Sequence, residues 1–226
     1  MAGGTGVTLV AGIVFGLALA APPGPMNAII AEESVVRGWF AGFRTGLGAM
    51  TADGIFFLLA LVGVVTVIEG LPVVRAGMVT AGGVLMLYFA YEAARSVETA
   101  LGPDDTSDSS RGFSKAFVLA LTNPYQLLFW LTVGVGLLDP GQIDVLASLP
   151  GVGDALAGTL VVQTGSFAVV AGLFGGIALW ILGFPATLVW LGERVDALAP
   201  LVAGASALVL GGFGVIFLWD GLSTLL

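Results

Sequence analysis

The sequence predicts an all-α membrane protein of six transmembrane helices, arranged as two inverted three-helix repeats whose first and fourth helices are broken. Three observations predict it. Mean hydropathy is +1.06, with 58% of residues hydrophobic and 10% charged, far from the composition of a soluble domain of 226 residues. Apolar stretches of about 20 residues or more fit six times, over 7–31, 41–67, 72–95, 113–138, 160–190 and 198–222. Transmembrane β-strands would be short and alternating instead. Prolines interrupt the first and fourth stretches.

Helix one could pass for a signal peptide, since Ala18-Leu19-Ala20 resembles a cleavage site. No Lys or Arg precedes it and prolines follow, so it reads as a helix that stays. Gly12 and Gly16 form a GxxxG pair that lets another backbone approach. The run is then broken by Ala21-Pro22-Pro23-Gly24-Pro25-Met26-Asn27. Proline has no N–H and clashes with the preceding turn, so Pro22, Pro23 and Pro25 end one half-helix, and Gly24-Pro25 opens another near mid-membrane. The first N–H groups of that second half, including those of Asn27 and Ala28, are expected to lack intrahelical partners. Bare backbone survives at such depth only against protein or a wet cavity, and the positive end of the half-helix suits an anion such as a carboxylate.

Glu32, Glu33 and Arg37 mark an interfacial turn into helix two. There Gly46, Ala49 and Asp53 fall within about 40° of Gly42 at 100° per residue, a narrow smooth stripe carrying one carboxylate. Arg44 lies on the opposite side, so Asp53 has no cationic partner in its own helix and sits near the hydrocarbon centre. An acid at that depth is costly, which makes it a functional residue by default. Helix three carries Arg75 near its start, Tyr88 and Tyr91 as interface anchors, and Glu92 with Arg95 at the spacing of a surface ion pair. Residues 98–112, with Pro103, Asp104, Asp105 and Asp108, form a polar linker.

Helix four repeats the opening theme. Leu119-Ala120-Leu121-Thr122-Asn123-Pro124 matches Leu17-Ala18-Leu19-Ala20-Ala21-Pro22 at four of six positions. Pro124 withholds its N–H and biases Asn123 away from helix, leaving the Ala120 carbonyl and the side chains of Asn123 and Gln126 to serve a cavity. An acidic loop follows at 139–160. Helix five then sets Gly165, Gly172, Gly176 and Gly183 on a second stripe within about 20° of the first residue. Helix six, with Gly204, Gly211 and Gly214, reads as structural, and Asp220 as wetted.

The halves are therefore residues 1–97 and 113–226, joined by the 98–112 linker. Three spans each is an odd number, so the halves point in opposite directions. Arg37, Arg44, Arg95, Arg111, Lys115 and Arg194 fall on one side against Arg75 alone, which puts both termini outside. The chain has neither Cys nor His, which removes thiolate and imidazole metal sites, disulfides and a His base. No metal, cofactor or catalytic residue is expected. Gly165-Ser166 and Ser114-Lys115 are the only hints of a nucleophile, and the lysine sits at a helix end where a surface charge belongs. A net charge of -8 with a single lysine excludes a nucleic-acid surface.

Pro23-Gly24-Pro25, Arg37-Gly38, Gly42, Gly46 and Asp53, followed by Thr122-Asn123-Pro124, give the chain a pattern that resembles the LysE/RhtB superfamily of amino-acid exporters. The resemblance implies a six-helix exporter of the prokaryotic plasma membrane, commonly dimeric, that uses an ion gradient (H+ or Na+) to expel amino acids or related metabolites. It also implies that Pro23, Gly24, Pro25, Asp53, Asn123 and Pro124 lie near the substrate; the bare half-helix ends add Asn27 and Gln126. Members exporting basic amino acids carry an acid shortly after the Asn-Pro, whereas this chain reads Tyr125-Gln126-Leu127-Leu128-Phe129, which favours a neutral amino acid. Two other classes compete. In a passive channel Asp53 would only set cation preference, and in a non-transporting scaffold both breaks would be structural.

Overall fold

The computed structural model describes residues 4–63, 71–99, 110–144, 158, 161–195 and 197–225. Its elements are α1 (Thr5–Ala20), α2 (Pro25–Arg37), α3 (Trp39–Leu61), α4 (Pro72–Thr99), α5 (Ser110–Leu121), α6 (Pro124–Phe129), a π-helical turn (Trp130–Gly134), α7 (Val135–Leu138), β1 (Gly141–Asp144), β2 (Val161–Thr164), α8 (Phe167–Gly192) and α9 (Leu198–Leu225). Among the described residues four helices are long and apolar enough to cross a membrane: Trp39–Leu61, Pro72–Arg95, Phe167–Gly192 and Leu198–Thr224. The broken pair α1 and α2 raises the number to five if it counts as one span. The molecule is thus a helical, multi-pass membrane protein.

Several boundaries differ from the sequence reading. The fourth predicted span is divided among α5, α6, the π turn and α7, because Pro124 restarts the helix and the ladder slips again at Trp130. The fifth begins at Phe167, not at 160, since Val161–Thr164 pairs antiparallel with Gly141–Asp144, and Gly165, at φ +67°, turns the chain between strand and helix. Gly165 therefore belongs to a turn and not to the helical stripe, and the all-α expectation gains a two-stranded hairpin. The second span stops at Leu61, where Gly63 at φ +73° takes the left-handed conformation open to glycine. Asp53 is consequently eight residues, about 12 Å, from that end. Of the polar linker, residues 100–109 lie outside the described residues, as does most of the acidic loop; the linker's flanks at Glu98, Thr99 and Ser110–Gly112 are helical.

The chain forms two compact units, each drawing on both halves of the sequence. The first comprises residues 1–21 and 132–180. Here α1 packs on the first part of α8 through glycines. A Cβ on Gly12 would lie 2.9 Å from the Cα of Gly172, and one on Gly16 would lie 3.0 Å from the Cα of Gly176. Only hydrogen atoms on both sides allow that approach. The hairpin joins α1 where the Gln163 N–H donates to Oγ1 of Thr8 at 3.2 Å.

The second unit comprises residues 22–131 and 181–226. Its apolar core gathers Ala28 and Ile29 of α2, Val79, Met86 and Phe89 of α4, Leu119 of α5, and Leu210 and Phe217 of α9. Gly83 and Gly214 bring α4 and α9 together; a Cβ on Gly83 would lie 2.9 Å from the Gly214 carbonyl oxygen. The Ser206 hydroxyl of α9 donates to the Ala28 carbonyl of α2 at 2.9 Å. Between α2 and α3 the chain turns at Gly38, whose φ of +89° is again one that glycine adopts without strain. The α3 stripe is covered in two parts: Ile181 and Pro185 lie on Gly46 and Gly42, and Ala116 and Ala120 of α5 pack on Ala49 and Ala52.

Two acids sit otherwise than their place in the sequence implies. Glu33 is buried, with both carboxylate oxygens 2.6 Å from Nη1 of Arg37. Glu92 pairs with Lys115 of α5 at 2.5 Å and accepts from the Tyr88 hydroxyl at 2.8 Å. Arg95, its expected partner, lies instead over the Tyr91 ring. Asp220 is exposed as expected.

Candidate substrate site

The first break runs from Ala21 to Gly24. Helix α1 closes on an Ala21 N–H to Leu17 carbonyl bond of 2.8 Å, and α2 opens with Pro25 at its first position, where a missing N–H removes no helical bond. Gly24 is fully extended (φ -177°, ψ -178°) and provides no side-chain cap. The Asn27 amide reaches back to the Pro22 carbonyl at 2.9 Å and so fixes the entry to α2. One expectation is corrected here: the Ala28 N–H is not bare but donates to the Gly24 carbonyl at 3.0 Å. The helical ladder begins one residue earlier than the prolines imply, because Gly24 already serves as N-cap. A Cβ on Gly24 would meet no atom within 4 Å, so the break has open space beside it.

The second break is at Asn123. It caps α6 with its carbonyl, which accepts from the Leu127 N–H at 3.1 Å, while its own N–H donates to the Ala120 carbonyl at 3.2 Å. The Ala120 carbonyl, expected to face a cavity, is thus taken up by a tight turn. Proline at position 124 explains the geometry: helix α5 cannot continue through it, and Asn123 is pushed out of the helical region just before it.

Asp53, on α3, is 4% exposed. Its Oδ1 accepts from the Gln126 side-chain amide at 2.7 Å and from the Trp130 indole N–H at 2.9 Å. Two residues expected at the site from separate halves of the sequence therefore meet directly. Trp130 is not among the residues to which the sequence points, although it carries a signal: an indole N–H inside an apolar span needs an acceptor, and Trp130 lies one turn beyond Gln126. It also begins the π turn, the kind of local slip that recurs at functional positions. Phe57, one turn after Asp53, and Phe129 stand edge-on to its ring, at 6.0 Å and 5.6 Å.

The remaining predicted residues gather around this pair in part. Met26, between Pro25 and Asn27, packs on the cluster of Ala49, Ala52, Ala116 and Ala120, which ties the start of α2 to the turn before Asp53 and to the turn before Asn123. Pro25, Asn27, Asn123 and Gln126 are buried; Pro23 is exposed. The Asn27 amide is directed to Pro22 and not to Asp53. Among the described residues no cluster of three acidic, His or Cys side chains is present to hold a metal. The constellation is one buried carboxylate, two N–H donors on a single oxygen, and two helix restarts close by. A carboxylate so placed can take up and release a proton or hold a cation.

A family model described as LysE type translocator matches residues 17–221. The chain is 27% identical over 215 residues to an uncharacterized membrane protein of Pseudomonas aeruginosa, spanning 92% of each chain. It is 34% identical over 128 residues to a Bacillus subtilis protein named for amino acid efflux, covering 54% of this chain and 59% of that one. It is 30% identical over 120 residues to the leucine efflux protein of Salmonella typhimurium, covering 52% and 57%. No solved structure matches.

Proposed function

The chain belongs to the LysE type translocators, which are transporters and not enzymes, and from that premise we propose that it exports neutral amino acids, driven by an ion gradient coupled through Asp53. The observation that carries the proposal is the Asp53 carboxylate, buried in a membrane helix, held at one oxygen by Gln126 and Trp130, and without a cationic partner among the described residues. An intramembrane acid so placed serves a transport path more readily than it serves packing. The leucine and amino acid efflux relatives support an amino-acid cargo, and the absence of an acid in Tyr125-Gln126-Leu127-Leu128-Phe129 supports a neutral one.

In this reading the substrate lies between the two helix restarts, near Pro23, Gly24, Pro25 and Asn27 of the first and Asn123, Pro124 and Gln126 of the second. Its carboxylate meets the start of α2, and the coupling ion, H+ or Na+, exchanges at Asp53. Six spans in two inverted repeats, residues 1–97 and 113–226, complete the architecture, with α5 to α7 supplying the fourth. The protein resides in the prokaryotic plasma membrane with both termini outside and acts as a homodimer. The orientation is supported by basic residues that gather at one end of the second unit: Arg37 pairs with Glu33, Glu33 backs onto Gly112 beside Arg111, and Lys115 pairs with Glu92.

The test is Asp53→Asn, which keeps shape and hydrogen bonding but removes the charge. In proteoliposomes the variant inserts and still exchanges leucine across the membrane at raised concentration, but it loses accumulation driven by an imposed gradient. Accumulation equal to the parent's under every imposed pH and sodium gradient would make Asp53 a packing residue.

A further inference from the structure

Resting on the transport reading above, we infer that Oδ2 of Asp53 receives the substrate's ammonium group and that Trp130 is the positioning residue that keeps this oxygen available. Both hydrogen bonds to Asp53 end on Oδ1, and among the described residues none reaches Oδ2. A carboxylate has lone pairs for about four donors, so with both donors on Oδ1 the second oxygen, Oδ2, keeps its capacity to accept. The two donors arrive from one side, from residues one helical turn apart, and Trp130 is locked by its edge contacts with Phe57 and Phe129. The carboxylate therefore has a fixed orientation, with Oδ2 directed away from α6.

The chemistry of the surroundings selects the occupant. The indole can only donate, the Gln126 amide N–H is already donating, and among the described residues no group of three acidic, His or Cys side chains is present. A sodium ion exchanging at Asp53 takes its remaining oxygens from water or substrate, since a metal ion needs several around it. A primary ammonium brings three N–H donors of its own, finds a charged acceptor in Oδ2, and tolerates aromatic rings beside it. Phe57 and Trp130 provide such rings next to the carboxylate. The site thus reads the amino group of an amino acid, which makes it the element that separates an amino acid from the hydroxy acid of the same skeleton.

Leucine counterflow in proteoliposomes, with 2-hydroxy-4-methylpentanoate as competitor, tests this. The parent moves leucine, and the hydroxy acid competes about 10- to 100-fold more weakly, the difference made by a hydrogen bond to a charged group. Trp130→Phe keeps a ring but removes the donor; it raises KM for leucine about tenfold, leaves Vmax within about twofold, and narrows the gap between the two compounds. If Trp130→Phe fails to insert, Gln126→Leu, which removes the other donor, gives the same readout. Equal competition by the hydroxy acid in a parent that transports leucine overturns the inference and leaves the transport reading standing. Unchanged KM and discrimination in the variants overturn the positioning role. A parent that moves no amino acid overturns the transport reading, and the inference falls with it.

Discussion

Removing the guanidinium of Arg37 leaves the buried Glu33 carboxylate without its partner. The Glu33 side chain is 4% exposed and that of Arg37 29% exposed; both Glu33 oxygens lie 2.6 Å from one guanidinium nitrogen. A Cβ on Gly112 would sit 3.1 Å from the Glu33 carboxyl carbon, so the carboxylate has a helix backbone behind it and little room for water. Stripping the partner from a buried pair costs about 3–5 kcal/mol. Because the arginine is partly wetted, water replaces some of what is lost and the lower end, about 3 kcal/mol, applies. In a chain of this size each kcal/mol shifts Tm by about 2–4 °C, so Arg37→Ala should melt about 6–12 °C below the parent in detergent. The double variant Glu33→Met/Arg37→Met removes both charges and keeps the volume filled, and it should return to within about 1 kcal/mol of the parent. Thermal unfolding followed by size-exclusion chromatography of heated samples measures both. A single variant within about 2 °C of the parent, or a double variant no better than the single, would refute the claim that the cost comes from an orphaned buried carboxylate.

Two further outcomes are expected. Gly24→Leu should insert and melt like the parent, since the backbone there is extended and a side chain meets no atom within 4 Å, yet lose export because it fills the space beside the first break; normal leucine flux would remove that break from the substrate path. The chain has no cysteine, so Ser148→Cys and Ser107→Cys each introduce a single thiol; a membrane-impermeant maleimide added to intact cells should label position 148 and not 107, and the reverse pattern would invert the proposed topology.

Features carried by covalent constraint are legible in the sequence. Proline cannot donate, so both helix restarts are readable to within a residue. An acid in an apolar stripe has few meanings, and Asp53 is indeed buried. Features that depend on which helix lies beside which are not legible. Spacing along its own helix assigns Glu92 to Arg95, but Lys115 of another helix reaches it. The charged neighbours of Glu33 suggest an interface, whereas it is buried with Gly112 of α5 behind its carboxylate. The hairpin is hidden because Val161-Val162-Gln163-Thr164 abuts a long apolar run and reads as its start; only its partner, Gly141–Asp144, makes it a strand. Trp130 is hidden for a similar reason, since an apolar run masks the one polar atom that the indole carries.

The glycine contact between α1 and α8 has a consequence for genetics. When two side chains collide, trimming the partner restores the fit, and such reciprocal changes are how suppressors arise. Gly12 and Gly16 face Gly172 and Gly176, so the partner has nothing left to trim, and the nearest atoms, such as the Val169 carbonyl oxygen 2.5 Å from a Cβ on Gly12, belong to the backbone that every residue shares. A substitution at any of the four positions has no compensating change in the facing helix. Revertants of such variants should carry glycine again, and these four codons should tolerate no exchange of size between the two helices.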